Sequence, residues 1–490
     1  MKSNIIKITA ALLVTVVIAG VSIWQVKFNK DWREEYAYAK GIEALVYAFP
    51  YFLDSALLYK WSLPQVPENN KGPANATNQF WHSPELTNPK DYRDGGMPNR
   101  DTLYSVAWVY SDTQPLIISV PQIPDERYYS FEFAGFDSDN FAYIGKRTHG
   151  NVAGHYAVTP PGWQGELPEG VEFLAENPTP WFFLLGRTMV QPGDAQDEAL
   201  VEALIQNYKI TALSDWGQEN PTRPAFPPIK DVGDLSEMLA DSNIIKFLKK
   251  MMMSEPMLFW EMVNHAMTVN GVPVRDQSRL TDWAGLHIGP NQDLSKLSDS
   301  EKAGLERAVF DGIMMLRNHG TQGFDSKNVN GWKYPAASIG RAGINGNYAT
   351  RSALQSMKGI VANDPEEAVY IPISKDQNGD LLNGKHNYKI HFTKEQLPPA
   401  KEFWSLTAYD DDGNMVLNPI DRYMVSDRSE HLVYDSEGGL TLYVGAQSPQ
   451  GNESNWLPAE TEATVLMIRI YGPTQAVIDQ SWMPPAIQKI

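Results

Sequence analysis

Between residues 101 and 158 the apolar positions recur every second residue, the period of a strand with one face on a core. Tyr129, Phe131 and Phe133 alternate with Ser130 and Glu132, so the second face meets water or another sheet. Leu116–Val120, closed by Pro121, predicts a neighbouring strand, and Pro160, Pro161 and Gly162 close another at 156–158. Short strands at turn-separated intervals predict a β-sandwich. Ahead of them, Ala44, Leu45, Ala48, Phe49, Phe52, Leu53 and Leu57 fall at helical spacing and predict an amphipathic helix over 36–61, interrupted near Pro50.

A proline-rich linker at 220–228 introduces a helical period. Asp234 with Glu237, and Ser298 with Glu301, are capping-box patterns. The first precedes Leu235, Met238, Leu239, Ile245, Leu248 and Met252, the second Leu305, Ala308, Val309, Ile313 and Leu316. Beyond Trp332 the strand period returns: Tyr388, Ile390 and Phe392 alternate with Lys389 and His391, and Leu440, Leu442 and Val444 with Thr441 and Tyr443. Residues 465–471 are apolar on both faces, as in a central strand. Asn378-Gly379, Asp412-Gly413 and Gly438-Gly439 supply turns. The expected fold is multi-domain and mainly β, since 490 residues exceed one core. It comprises a signal peptide or membrane anchor at 1–30, an N-terminal β-sandwich with its leading helix at 31–219, a helical domain at 220–331 and a C-terminal β-sandwich or jelly roll at 332–490.

Composition narrows the chemistry. Lys2 and Lys7 precede an uncharged stretch at 8–24, the form of an export leader, which puts the body of the protein in the periplasm or at the cell surface. The absence of cysteine removes disulfides, thiolate catalysis and Cys-bound zinc. A net charge of -18 with no basic stripe argues against nucleic acid and leaves the leader as the only membrane contact, while a homo-oligomer stays open. The short cluster Lys246, Lys249 and Lys250 reads as the solvated side of a helix.

Several motifs carry a resemblance. Pro98-Asn99-Arg100-Asp101-Thr102-Leu103-Tyr104-Ser105, Asp125-Glu126-Arg127-Tyr128-Tyr129-Ser130 and Asn140-Phe141-Ala142-Tyr143-Ile144-Gly145-Lys146-Arg147 resemble the N-terminal half of the bacterial domain-of-unknown-function 1254/1214 family. Lys401-Glu402-Phe403-Trp404-Ser405-Leu406-Thr407, Asn418-Pro419 with Arg422-Tyr423, Asn455-Trp456-Leu457-Pro458 and Arg469-Ile470-Tyr471 resemble its C-terminal half. The resemblance spans about residues 35–485 and implies two sandwiches joined by a helical region, often behind an export signal. It implies no activity. One departure is Gly95-Gly96-Met97, where many relatives have a short polar and apolar run.

Asn99, Arg100, Asp101 and Tyr104, with Asp137, Asn140 and Arg147, form the first candidate ligand site, because strand-end loops present polar groups on a rigid sheet. Such residues also satisfy their own turns or pair to hold loops together. Asn455 and Trp456, in a loop with Pro458, are the second candidate, for stacking on a flat ligand; Trp404 reads as core. His149, His155, His386 and His391 lack a close acidic partner, so no metal is expected, and no cofactor either. The acidic turns 376–380 and 410–414 lack the closing glutamate of a calcium loop and read as hairpins. No nucleophile elbow, phosphate loop or zinc helix is present. The leading expectation is an envelope-associated protein binding an uncharged or polyhydroxyl small molecule or glycan near the Asn99–Asp101 loop. The alternatives are an extracytoplasmic hydrolase using Asp101, Arg147 and Tyr104, and a structural or assembly protein.

Overall fold

A computed structural model describes residues 31–62, 73–93, 95–233, 235–239, 244–323, 325–460 and 462–490. The leader at 1–30 and Asp234 of the first capping box lie outside them.

The N-terminal strands build a sandwich. One sheet runs Trp81–His82, Thr102–Tyr110, Trp181–Met189, Tyr129–Gly135, Asn140–Gly145. The other runs Glu172–Glu176, Gly154–Thr159, Leu116–Val120, Lys209–Ala212. Leu103, Ile118, Phe131, Phe133, Val158 and Leu184 fill the space between them. The alternate residues of the five-stranded sheet, among them Val106, Trp108, Ala134 and Phe183, enter a second core shared with the helices. Strand Tyr129–Gly135 is therefore buried throughout, and its polar positions meet protein on both sides.

The helical layer includes the leading helix Trp32–Ser62, which packs mainly on Met257–Asn270 and Asp299–Gln322 rather than joining the two-sheet core. Small residues allow the approach: a Cβ on Gly41 would meet Ala308 Cβ at 2.7 Å, and one on Gly304 would meet the Glu34 carbonyl at 2.3 Å. The box of Ser298 and Glu301 caps the latter helix as expected. Helix Trp32–Ser62 is long and apolar enough to cross a membrane, yet most of its apolar window is enclosed by protein. Pro50 does not interrupt it. Proline leaves the Val46 carbonyl without its helical donor, and Ser352 Oγ donates to that oxygen at 2.6 Å. Arg351 beside it donates to the Tyr47 carbonyl. Both sit in the π-helix Arg351–Ser356, so two unusual helical segments complete each other.

The C-terminal sandwich stacks Ala368–Ile373, Val465–Pro473, Ala400–Tyr409, Met424–Ser426 on Trp456–Pro458, Leu440–Gly445, Tyr388–Phe392, Gln488–Lys489. Ile371, Ile390, Leu406, Leu442 and Ile468 form its core, with Trp332 inserted from a preceding hairpin. Strand Val465–Pro473 is central, as its two-faced apolar pattern predicts. One pair, Leu440–Gly445 with Trp456–Pro458, is parallel. The acidic turns close on themselves: Asp376 Oδ1 accepts from the Asn378 and Asp380 amides at 2.8 and 3.1 Å, and Asp410 Oδ1 from the Asn414 amide at 2.8 Å.

Candidate functional site

Part of the outer face of the first sandwich's five-stranded sheet, beyond the apolar positions that meet the helices, lies against the outer face of one C-terminal sheet, and Tyr104, Ser130, Glu132 and Arg187 of that part are polar. Register sets Tyr104 opposite Arg187, Arg187 opposite Ser130, and Glu132 opposite Leu185 and Tyr143. Across the seam, Arg469 is flanked by Tyr370 and Ser405, and Phe403 lies beside Tyr471.

Paired charges line the seam: Asp101 with Arg428 and Arg147 with Glu367 cross it, while Arg187 with Glu132 lies within the N-terminal sheet. Arg187 Nη1 donates to Glu132 Oε2 at 2.8 Å, with Glu132 fully buried and Arg187 6% exposed. Burial raises the Glu132 carboxyl, and the Arg187 charge opposes that rise. Asn363 completes the pair: its amide nitrogen reaches Glu132 Oε2 at 3.2 Å, while its oxygen accepts from the Tyr370 hydroxyl at 2.7 Å and Arg187 Nη1 at 3.2 Å. All Arg187 hydrogen bonds among the described residues thus leave through Nη1, so Nε and Nη2 remain for a further acceptor. Among the described residues Glu132 Oε1 makes no close hydrogen bond, with the Asn140 amide as its polar neighbour. Beside Arg187, Tyr104, Leu185 and Tyr370 are only half-buried, and the Arg469 guanidinium lies 5.7 and 5.5 Å over the Tyr370 and Tyr409 rings.

The expected site residues fall into separate groups. Asn99 closes a turn: its Oδ1 accepts from the Asp101 and Thr102 amides at 2.8 and 2.9 Å, and its Nδ2 donates to the Tyr104 hydroxyl. Arg100 turns outward to the Thr87 carbonyl at 2.8 Å and over the Tyr423 ring. Asp101 is fully buried; it accepts from Ser405 Oγ at 2.6 Å and pairs with Arg428. Asn140 donates to Asp364 Oδ1 at 3.0 Å and to the Tyr143 hydroxyl at 2.8 Å. Arg147 Nε binds Glu367 Oε2 at 2.7 Å, whose other oxygen accepts from the Tyr128 hydroxyl at 2.7 Å.

Asp137 belongs elsewhere. The turn 135–139 drives it with Asp139 into the helical layer, where Arg275 Nη2 lies 3.2 and 3.3 Å from the two carboxylates and Arg351 Nη1 3.5 and 3.8 Å. Burial and the neighbouring Asp137 charge push Asp139 up to about 6, against the pull of Arg351. Asn455 and Trp456 serve the fold rather than an open face. Asn455 bridges Val433 and Thr441 backbone groups at 2.6–3.0 Å, and the buried Trp456 donates to the Gly445 carbonyl at 2.9 Å.

The hydrolase trio is not assembled, because Asp101 and Arg147 are each bound to a different partner across the seam. Histidine–hydroxyl pairs do occur: His82 with Ser105 at 2.9 Å, His155 with Ser119 at 2.8 Å, His391 with Thr441 at 2.8 Å. Each is a directly opposed antiparallel pair, so one cross-strand device is repeated in three sheets. The residues that sequence reasoning missed carried a signal. Arg187, Arg469 and Glu132 are single charges inside otherwise apolar strands, and such charges are buried only when paired.

The family described as "Protein of unknown function (DUF1254)" matches residues 77–212, and that described as DUF1214 matches 367–475. Asp101 lies in the first span and Ser405 and Arg428 in the second, so the two matched units meet at the seam. The structure resembles the crystal structure of the VPA0106 protein from Vibrio parahaemolyticus, with TM-score 0.65 and 21% identity over 94% of this chain and 100% of that one; the two share a fold. A putative uncharacterized protein from Burkholderia cenocepacia aligns at TM-score 0.42 and 13% identity over 95% and 97%. No curated protein matches the sequence.

Proposed function

The chain belongs to the DUF1254/DUF1214 family, and from the geometry of the seam where those units meet we propose that it is an exported binding protein for a small molecule bearing one anionic group on an apolar body. The carrying observation is Arg187, buried beside half-open Tyr104 and Tyr370 with Nε and Nη2 uncommitted. Arg187 and Arg469 both lie at Tyr370, where Glu132 is the acid hydrogen-bonded to Arg187; Arg428 is taken by Asp101, with Asp427 and Asp197 beside it, and nearby Asp364 is paired with Arg341. The excess is positive and partly desolvated, which favours an anion over the polyhydroxyl ligand expected from sequence. Leu185, Met97 and Met467 supply apolar surface next to it. Export rests on Lys2, Lys7 and the uncharged stretch behind them.

Thermal denaturation with benzoate, octanoate and their amides tests this reading. Carboxylates raise the melting temperature and amides do not; saturation at about 100-fold over Kd stabilises by about 2.7 kcal/mol. The pair of substitutions Glu132→Gln and Arg187→Met removes both buried charges together, so it folds and loses the response. An equal response to acid and amide, or none, refutes it. No response, together with a purely destabilising effect of opening Asp101–Arg428, favours the second reading, a structural lock between sandwiches.

A further inference from the structure

The outer face of the four-stranded N-terminal sheet, on the opposite side of that sandwich from the seam, carries a concavity of about 390 Å³ open to solvent. That volume lies within the roughly 300–1,000 Å³ usual for small-ligand sites. Three adjacent strands make its floor: Ser119 is opposite His155 on one side and Lys209 on the other, so all three side chains share a face. Trp216 stands at the wall with Asn207, Asp215 and Gln218.

The wall is fixed rather than loose. Trp216 rests on the apolar island of Ile117, Ala157 and Leu213, and its amide donates to the Leu213 carbonyl at 3.2 Å. Its ring meets that of His155 edge-on, with centroids 4.9 Å apart at 73°. Ser119 Oγ at 2.8 Å from His155 Nδ1 fixes the imidazole in turn.

We infer that this concavity binds an uncharged saccharide ring. A pyranose has an apolar C–H face and a rim of hydroxyls that both donate and accept. It matches an indole platform bordered by amides, a hydroxyl and an imidazole, groups that donate and accept in turn. Lys209 and Asp215 are the charges of the lining and are of opposite sign, so the site has no excess to attract an ion. A phosphate-bearing ligand would want a fork of cations, and a purely apolar one would strand the polar lining. The site is independent of the seam in residues and in ligand chemistry.

Saturation-transfer NMR on the full chain, with cellotetraose, chitotetraose, maltotetraose and mannotetraose as probes at about 5 mM, matches the millimolar affinity of a one-ring site. At least one probe shows transfer to ring C–H protons. Trp216→Ala abolishes it, and the exposed Gln218→Ala weakens it by about tenfold, the loss of one good hydrogen bond. The doubly substituted seam variant at Glu132 and Arg187 retains it, and benzoate does not compete. Absence of transfer from all four probes, or transfer that survives Trp216→Ala, overturns the inference. Circular dichroism of the Gln218→Ala protein separates loss of the site from loss of the fold.

Discussion

His82 shows how burial turns a single side chain into a pH-dependent load on the fold. It lies half-buried on the short edge strand opposite Ser105, and burial pushes its imidazole from 6.5 down to about 4. The unfolded chain therefore binds a proton that the folded chain refuses between those values, so stability is full above pH 6.5 and is lost as pH falls towards 4. Asp139 and Asp427 act in the opposite sense. Burial raises both to about 6, so the folded state takes up protons first and gains stability as pH falls below that value. Comparison with His82→Asn, which keeps a partner for Ser105, isolates the histidine. Wild type loses about 1–3 kcal/mol more than the variant between pH 6.5 and 4, the lower end reflecting solvent access to the ring. Urea denaturation at several pH values measures the difference, and parallel pH profiles would contradict the assignment. Asn99 and Asp101 show the limit of reading residues singly. The sequence identified both as polar loop groups, but only their hydrogen bonds show that Asn99 closes a turn while Asp101 is sealed under Arg428.

At the scale of elements, the exchange between Pro50 and the π-helix makes a prediction that neither segment makes alone. Ser352→Ala leaves the half-buried Val46 carbonyl without its donor and costs about 1 kcal/mol. Pro50→Ala restores a helical N–H to the same oxygen, so Ser352→Ala costs less in that background. A double-mutant cycle in urea gives the coupling, and strict additivity would disprove the exchange. The helix itself was legible from its apolar spacing, but its continuity was not, because the group that satisfies Val46 lies about 300 residues further along the chain. Strand Tyr129–Gly135 behaves likewise. Its period of two was plain and its polar side was expected to meet water or another sheet; it meets another sheet, and what the sequence left open is that Glu132 is fully buried there against Arg187. By contrast the box at Ser298 and Glu301 appeared as read, since a capping box needs only residues three apart.

For the molecule as a whole, a chain of this length is expected to melt in parts. The seam argues otherwise, because parting the sandwiches would strand Asp101, Glu367 and Asp364, each buried and paired across it or beside it. Scanning calorimetry should record one main transition, and two resolved transitions would show that the sandwiches are independent. Alternating side chains, turn dipeptides and caps were enough to establish two β bodies and a helical region, because strand period, turn geometry and helix ends depend on residues a few positions apart. Arg187 and Arg469 stand as lone charges within apolar strands, a local signal of burial that the sequence reading passed over. Which carboxylate each charge meets, which sheet face became a seam, and where a concavity opened beside Trp216 were decided by tertiary packing alone. Those outcomes depend on how separate layers are set against one another, and no local pattern encodes a partner that another layer supplies.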